Sequence, residues 1–316
     1  MPVATILEIV LAAVVLGLGV WTIAARETYA ATVGYVAYGL LVPLVWVRLD
    51  AIDVALTEAA IGGGLGGVLL LGAAARLRAT EKASAAETPG RTARLGAAAL
   101  SVTISAALAA AILHLPDPAP TLAPAAVANA SATSLANPVT NVLMAFRAMD
   151  TMLEKVVLLL AIIGVWSLAS DWAWAGRPGP RHQADPRGAL AFLARLLPPV
   201  GIVVGIYIFW IGANHPGGAF QGGAILAAMW LLVILAGLTD TPPVSSRWLR
   251  LLLVAGPVVF LIVGLGGLCF GPAFLAYPPA FAKPLILAVE IAMILTIAAT
   301  LGLLLAGAPE RSTQHD

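Results

Sequence analysis

The feature that most constrains this chain is a succession of nine apolar stretches, each approaching the roughly 20 residues that a helix needs to cross a hydrocarbon core about 30 Å thick. They run approximately over residues 3–25, 30–49, 51–75, 95–114, 152–170, 198–213, 219–238, 251–270 and 284–307. Stretches six and seven are short, and only Asn214 to Gly218 separate them. The expected fold is therefore all-α: a polytopic transmembrane helical bundle of about nine spans, with a break between spans six and seven.

Composition agrees with that expectation. Of the 316 residues, 60% are hydrophobic and 10% charged, whereas soluble domains carry roughly 25% charged residues. Seventeen Lys and Arg nearly balance sixteen Asp and Glu. No basic run or interleaved aromatic stripe is present, so nucleic acid is not an expected partner. Cys269 has no second thiol for a disulfide or a metal cluster, and reads as a lipid-facing or packing residue. His114, His182, His215 and His315 fall in four segments without zinc-site spacing, so no metal is expected. Val3 to Ala25 lacks the basic flank of a cleaved signal and reads as a retained first span.

Lys and Arg concentrate in three short loops: Arg76, Arg78, Lys82, Arg91 and Arg94 in one, Arg177, Arg181, Arg187 and Arg195 in another, and Arg247 with Arg250 in the third. Nine spans put all three on one face, and such residues are retained on the cytoplasmic side. The opposite face receives the Pro/Ala-rich stretch Pro116 to Pro138, whose only charge is Asp117. The N-terminus is then outside and the tail Ala308 to Asp316 inside, in a cell inner or plasma membrane. Polar, breaker-rich linkers at residues 79–92 and 171–188 divide the chain into three modules, 1–78, 92–171 and 190–308, with three, two and four spans.

Ionisable residues inside a span cost several kcal/mol and usually face a partner, a cavity or an ion path. In the third span, Asp53 and Thr57 share a helix face at i, i+4, ahead of the glycine-rich run Gly62 to Gly67. Asp53 is either part of an ion path or a residue at the water interface. Glu58 lies seven residues beyond the expected start of the span, about 10 Å deep at 1.5 Å per residue. It handles a proton or cation, or makes an internal hydrogen bond. Gly62 with Gly66 and Gly63 with Gly67 suit close helix packing.

Before span five, Arg147, Asp150 and Glu154 form a stripe at i, i+3 and i+7, with Lys155 beside it. The stripe suits proton relay, or else a salt-bridged helix start that neutralises itself. Between spans six and seven, Asn214, His215, Pro216, Gly217, Gly218 and Gln221 surround a helix break. Irregular backbone at membrane depth is tolerated only where protein or a hydrated cavity satisfies it. The two readings are a broken-helix site, with His215 titrating near neutral pH at a helix N-terminus, and an outer surface turn. Glu290 in span nine has no charged neighbour on its own helix; its partner comes from another helix, or it stays protonated. No zinc motif or nucleophile elbow is present, so the chain is not expected to be an enzyme.

Three stretches together resemble subunits of the Mrp-type multisubunit cation/proton antiporters and the related membrane arms of respiratory hydrogenases. DVALTEAAIGGGLGG (Asp53 to Gly67) is similar to the module near the C-terminal end of MrpA, also seen as MbhD. The segment from Asn137 to Leu168, with its Phe146-Arg147, Asp150-Thr151 and Glu154, resembles the MbhE-like module that follows it. NHPGGAFQGG, within Tyr207 to Leu231, resembles the proline-glycine-glycine motif of MrpB, or MbhF. The modules also follow the family's order. Lys155 after Glu154, Ala219 before Phe220 and the density of glycines at 63–67 depart from its pattern.

The resemblance implies a subunit contributing to the ion pathway and the subunit junction, with Na+ and/or H+ as transported ions and no cofactor. Implied partners are antiporter-like proton-pumping subunits, small membrane subunits and the lipid bilayer. The proton-pumping subunits of that family have about a dozen spans with buried lysines, which this sequence does not contain. The alternatives are a stand-alone secondary transporter, for which inverted repeats and paired broken helices would be expected, and a purely structural scaffold.

Overall fold

The computed structural model describes residues 3–84, 90–118, 120–182, 185–271 and 273–310. Twelve α-helices follow one another: α1 (Val3–Ala24), α2 (Thr28–Arg48), α3 (Ile52–Glu58), α4 (Gly66–Ser84), α5 (Arg91–Leu113), α6 (Ala123–Asn129), α7 (Pro138–Asn141), α8 (Ala148–Trp166), α9 (Ala189–Ile211), α10 (Ala219–Leu235), α11 (Arg247–Phe270) and α12 (Ala282–Ala306). The third span is one continuous element, because a π-helical segment, Ala59–Leu65, joins α3 to α4. A second π-helical segment, Val142–Phe146, precedes α8. Among the described residues, the expected all-α fold is interrupted only by the two-residue strands β1 (Arg177–Pro178) and β2 (Pro309–Glu310), which pair antiparallel.

Seven helical stretches are long and apolar enough to cross a membrane: α1, α2, the third span, α5, α9, α11 and α12. The chain is a multi-pass membrane protein. Two of the nine expected spans depart from that standard: α10 is apolar but only 17 residues long, and α8, at 19, carries Asp150, Glu154 and Lys155. Span six corrects the sequence reading. It begins at Ala189 rather than 198 and runs 23 residues through Pro198 and Pro199, so Arg195 is helical rather than in a loop. Proline is tolerated in membrane helices where local adjustments re-satisfy the backbone. Span six is thus long enough for a full crossing.

Helix α12 is the hub, packed by α8, α10 and α11, while α9 packs on α10. Lipid offers no apolar driving force between helices, so close contact depends on small residues and hydrogen bonds. Gly222 abuts the Gly205 carbonyl, and Gly223 abuts Ile297. Pro257 interrupts α11, and there Thr296 of α12 supplies the hydrogen bonds. Its Oγ1 donates to the Leu252 carbonyl at 2.8 Å and accepts from the Gly256 N–H at 2.9 Å.

The third span joins this bundle through α10 and carries α2 on its other side. A Cβ at Gly39 of α2 would lie 2.6 Å from the Gly62 carbonyl carbon, and one at Gly67 2.9 Å from Val36. The glycine run therefore packs helices, as expected. Helix α1 meets α2, with Glu8 and Arg48 ion-paired at its start, and α5 has no buried residue.

The second charged linker is docked rather than loose. Thr241 donates to the Pro178 carbonyl at 2.7 Å, Gly179 N–H to the Ala308 carbonyl at 2.9 Å, and Arg177 to the Thr241 carbonyl at 3.0 Å. Part of the first linker and the tail beyond residue 310, with His315, lie outside the described residues.

Candidate functional site

A helix periodicity of 3.6 puts Asp53 and Thr57 on the face of α3 that looks into the bundle. Thr57 Oγ1 donates back to the Asp53 carbonyl at 2.9 Å, and Gln221 of α10 donates to Thr57 Oγ1 at 3.0 Å. The Asp53 side chain is buried, not at a water interface. Its Oδ1 accepts the Gly217 N–H at 2.9 Å and, more weakly, the Asn137 side-chain amide at 3.5 Å.

Asn137 is the N-cap of α7: its Oδ1 accepts from the N–H groups of Val139 (2.9 Å) and Thr140 (3.4 Å). Capping commits only the oxygen. The amide nitrogen of the same side chain donates to the His215 carbonyl at 2.8 Å. Thr140 donates to the Gly212 carbonyl at 2.7 Å, and the Ala213 carbonyl accepts from the N–H groups of Ala136 and Asn137. Carbonyls that the break between α9 and α10 frees from helical bonding are thus met by side chains and by a neighbouring loop. Gly217 and Gly218 turn the chain at φ +148° and +137°, a region that L side chains rarely adopt.

The second half of the break aims α10 at Glu290. Glu290 is 3% exposed and faces the backbone N–H of Ala219, the first residue of α10. That is the positive end of the helix dipole. Among the described residues, Glu290 Oε2 has no hydrogen-bond partner, nor does the Tyr277 hydroxyl beside it. Burial, and secondarily the Glu290 charge, push the Tyr277 phenol above its ordinary range, so Tyr277 remains a hydroxyl donor.

Lys155 completes the set. It is 4% exposed, its Nζ lies 3.5 Å from Glu154 Oε2, and it stands 5.3 Å from the Phe220 ring centroid, within cation–π range.

Asp53, Thr57, Lys155, Gln221 and Glu290 line one cavity of about 360 Å3, with Asn137 and Tyr277 outside its lining. Asp53 and Thr57 come from the first module, Glu154 and Lys155 from the second, and Gly217, Gly218, Gln221 and Glu290 from the third. Both π-helical segments reach it, through Ile61 and through Leu143 with Met144. Such bulges are frequent at functional sites.

Several expected residues lie elsewhere. Glu58 is half-buried, one helical step round from Thr57, and its carboxyl folds against Gly62 outside the cavity. Of the stripe of Arg147, Asp150 and Glu154, the first two form the salt-bridged helix start that is one of its two readings. Val142–Phe146 is π-helical and Arg147 sits at the N-cap of α8, so Arg147 pairs with Asp150 at the exposed surface while Glu154 pairs with Lys155. Lys155, placed beside the stripe in sequence, is the buried member. His215 and Asn214 are exposed. His215 contributes its carbonyl and is not among the residues lining the cavity, and Asn214 accepts from Lys283 at 3.3 Å. Pro216 is half-buried beside them.

Sequence reasoning missed Asn137, Thr140, Thr151, Phe220 and Tyr277. Asn137-Pro138 carries a helix-start signature, but nothing in sequence shows where the free amide nitrogen points.

The fold and this site define a polytopic helical membrane subunit whose buried ionisable residues converge from separate modules. A family model described as a domain related to the MnhB subunit of Na+/H+ antiporters matches residues 189–308, and the model of MbhD, an MBH subunit, matches residues 13–79. Its third module is thus similar to an Na+/H+ antiporter subunit, and its first to an MBH subunit.

A putative antiporter subunit mnhB2 of Staphylococcus aureus is 30% identical over 91 residues, 28% of this chain and 62% of that protein. An uncharacterized protein of Methanocaldococcus jannaschii is 27% identical over 154 residues, 44% of this chain and 59% of that protein. The chain thus spans about three fifths of these relatives' length. Among solved structures, the Mrp complex of a Dietzia species has a chain that shares the fold, with TM-score 0.71 and 23% identity over 96% of this chain and 35% of that one. The membrane-bound sulfane sulfur reductase, an archaeal respiratory membrane complex, has one with TM-score 0.53 and 25% identity over 68% of this chain and 98% of that one.

Proposed function

We propose that this chain forms part of the ion path of a multisubunit monovalent-cation/proton antiporter, and of the junction between its subunits, without an enzymatic step of its own. The observation that carries the proposal is the cavity, where Glu290, Lys155, Glu154 and Asp53 from all three modules meet. Retaining such groups at membrane depth is expensive unless they act on an ion or a proton. The unpartnered Glu290 Oε2 is a free acceptor for either, while Lys155 supplies a competing positive charge in the same space. The transported ions on this reading are Na+ and/or H+, with no cofactor.

Partners on this reading are antiporter-like proton-pumping subunits and small membrane subunits. The likeness to a chain of a respiratory membrane complex favours a second reading, in which the parent assembly is driven by redox chemistry held in other subunits. Arg76, Arg177 and His182 line hollows at the end of the bundle where β1 pairs with β2. The cavity instead lies among the starts of α3, α8 and α10 and the first half of α12. The positive-inside rule then puts the basic end in the cytoplasm, with the N-terminus outside, the tail inside and the cavity towards the outer face of the cell membrane.

The test is cation-dependent proton flux in vesicles carrying the assembled complex with Glu290→Gln, which keeps the shape and removes the charge. Flux falls by about an order of magnitude or more while assembly is unchanged. Undiminished flux at normal assembly overturns the reading.

A further inference from the structure

We propose that an anionic phospholipid occupies a groove between the third span and α10, on the opposite side of α10's length from the ion cavity and towards the basic end of the bundle. Two hollows make up this groove. The deeper, about 340 Å3, is walled by Ala60, Gly64 and Leu65 of the third span and by Ala228 and Leu232 of α10. The outer one, about 530 Å3, carries Arg76 and His182 at its mouth. Val68, Leu231, Leu235 and Leu305 line both hollows, so the two are continuous.

The dimensions suit a lipid rather than a polypeptide helix. From Ala60 to Arg76 is sixteen residues of near-continuous helix, about 24 Å at 1.5 Å per residue. That accommodates one acyl chain and its headgroup. A transmembrane helix would need a groove through the whole core of about 30 Å, whereas this one ends near Ala60, at the start of the π-helical segment, where α3 meets α10. Gly72, in the groove wall, has open space within 4 Å of where a Cβ would stand.

The chemistry changes sharply along the groove. Its inner part offers only aliphatic and small side chains, the environment of an acyl chain. At the mouth, Arg76 is exposed and, among the described residues, has no carboxylate within ion-pair distance. His182 shares the mouth, and Gly179 joins it to a neighbouring hollow lined by Arg181. Basic pockets between membrane helices bind anionic headgroups, and guanidinium groups bind phosphate through paired hydrogen bonds. Arg177, by contrast, is already paired with Asp240 at 3.5 Å and takes no part.

The experiment purifies the full-length chain with the subunits that accompany it, incubates the complex with phosphatidylglycerol or phosphatidylcholine, and counts retained lipid by native mass spectrometry. The wild type retains phosphatidylglycerol in preference to phosphatidylcholine. Arg76→Gln, at an exposed position, lowers phosphatidylglycerol retention about fivefold. Gly72→Phe, which fills open space, lowers retention of both lipids. Equal retention of the two lipids by the wild type overturns the proposal, as does unchanged phosphatidylglycerol retention in either variant. Loss of a protein subunit from Gly72→Phe with lipid retention unchanged identifies a polypeptide occupant and also overturns it.

Discussion

The backbone N–H of Gly217 donates to Oδ1 of Asp53 across 2.9 Å, between residues 164 positions apart in the chain. That bond ties the start of the third span to the break before α10. A charge-assisted hydrogen bond contributes roughly 1.5–3 kcal/mol, and its removal here also leaves the Gly217 donor buried. Asp53→Ala is therefore expected to lower the thermal midpoint of the complex. Asp53→Asn keeps an acceptor at the same place and retains most of the stability while removing the charge. A melting series of the two variants measures the difference; equal midpoints for Asp53→Ala and wild type would show that the bond carries no stability.

Gly217 is constrained twice over. Its φ is +148°, and a Cβ there would collide with the Ile208 carbonyl oxygen. Backbone strain of this kind costs on the order of 1–3 kcal/mol before any clash is counted. Gly217→Val should impair assembly and transport. Gly164→Ala, in α8 where nothing lies within 4 Å, is the matching control and should leave both unchanged. Wild-type yield from Gly217→Val would mean that the break readily repacks.

Much of the fold is legible in the sequence because apolar length and glycine spacing are local properties. The third span, the glycine packing against α2 and the Asp53–Thr57 face each follow from residues close in sequence. The start of span six is not, since Pro198 and Pro199 read as a boundary although α9 continues through them. The site is legible in composition but not in geometry. A regular 3.6-residue helix places Arg147, Asp150 and Glu154 on one stripe and Lys155 off it, but does not show which side of that helix the rest of the bundle covers, and it is Lys155 that the bundle buries. The Asn137 amide and the Tyr277 hydroxyl depend on where distant segments meet, which a single sequence does not display.

The His215 ring, read from sequence either as part of a broken-helix site or as part of an outer surface turn, is exposed, and the residue's carbonyl accepts from Asn137 at 2.8 Å. His215→Ala keeps that carbonyl and should leave the pH profile of ion flux where it is. Asn137→Ala removes the α7 cap, typically worth about 1 kcal/mol, together with the bridge to the break, and should reduce assembly. A shifted profile in His215→Ala would return the imidazole to the ion path.

The two acid–base pairs before and within α8 should behave as separate units. Arg147 and Asp150 pair at the surface, with side chains 70% and 47% exposed. Such exposed pairs contribute roughly 0–1 kcal/mol. Lys155 is instead 4% exposed, and Glu154 is the carboxylate within 4 Å of its ammonium. Removing one member of a pair whose other member is buried leaves a charge without compensation, which is strongly destabilising. Glu154→Gln alone is therefore expected to impair stability and transport more than Asp150→Asn. In a double-mutant cycle, Glu154→Gln with Lys155→Met should recover part of the loss, giving an interaction energy of about 0.5–3 kcal/mol. The cycle on Asp150 and Glu154 should instead be additive to within about 0.5 kcal/mol, because the two carboxylates have different partners. Thermal stability and cation-dependent proton flux report the two cycles independently. Strong coupling between Asp150 and Glu154, with none between Glu154 and Lys155, would make the charged stripe along α8 a single unit and remove Lys155 from the cavity's electrostatics.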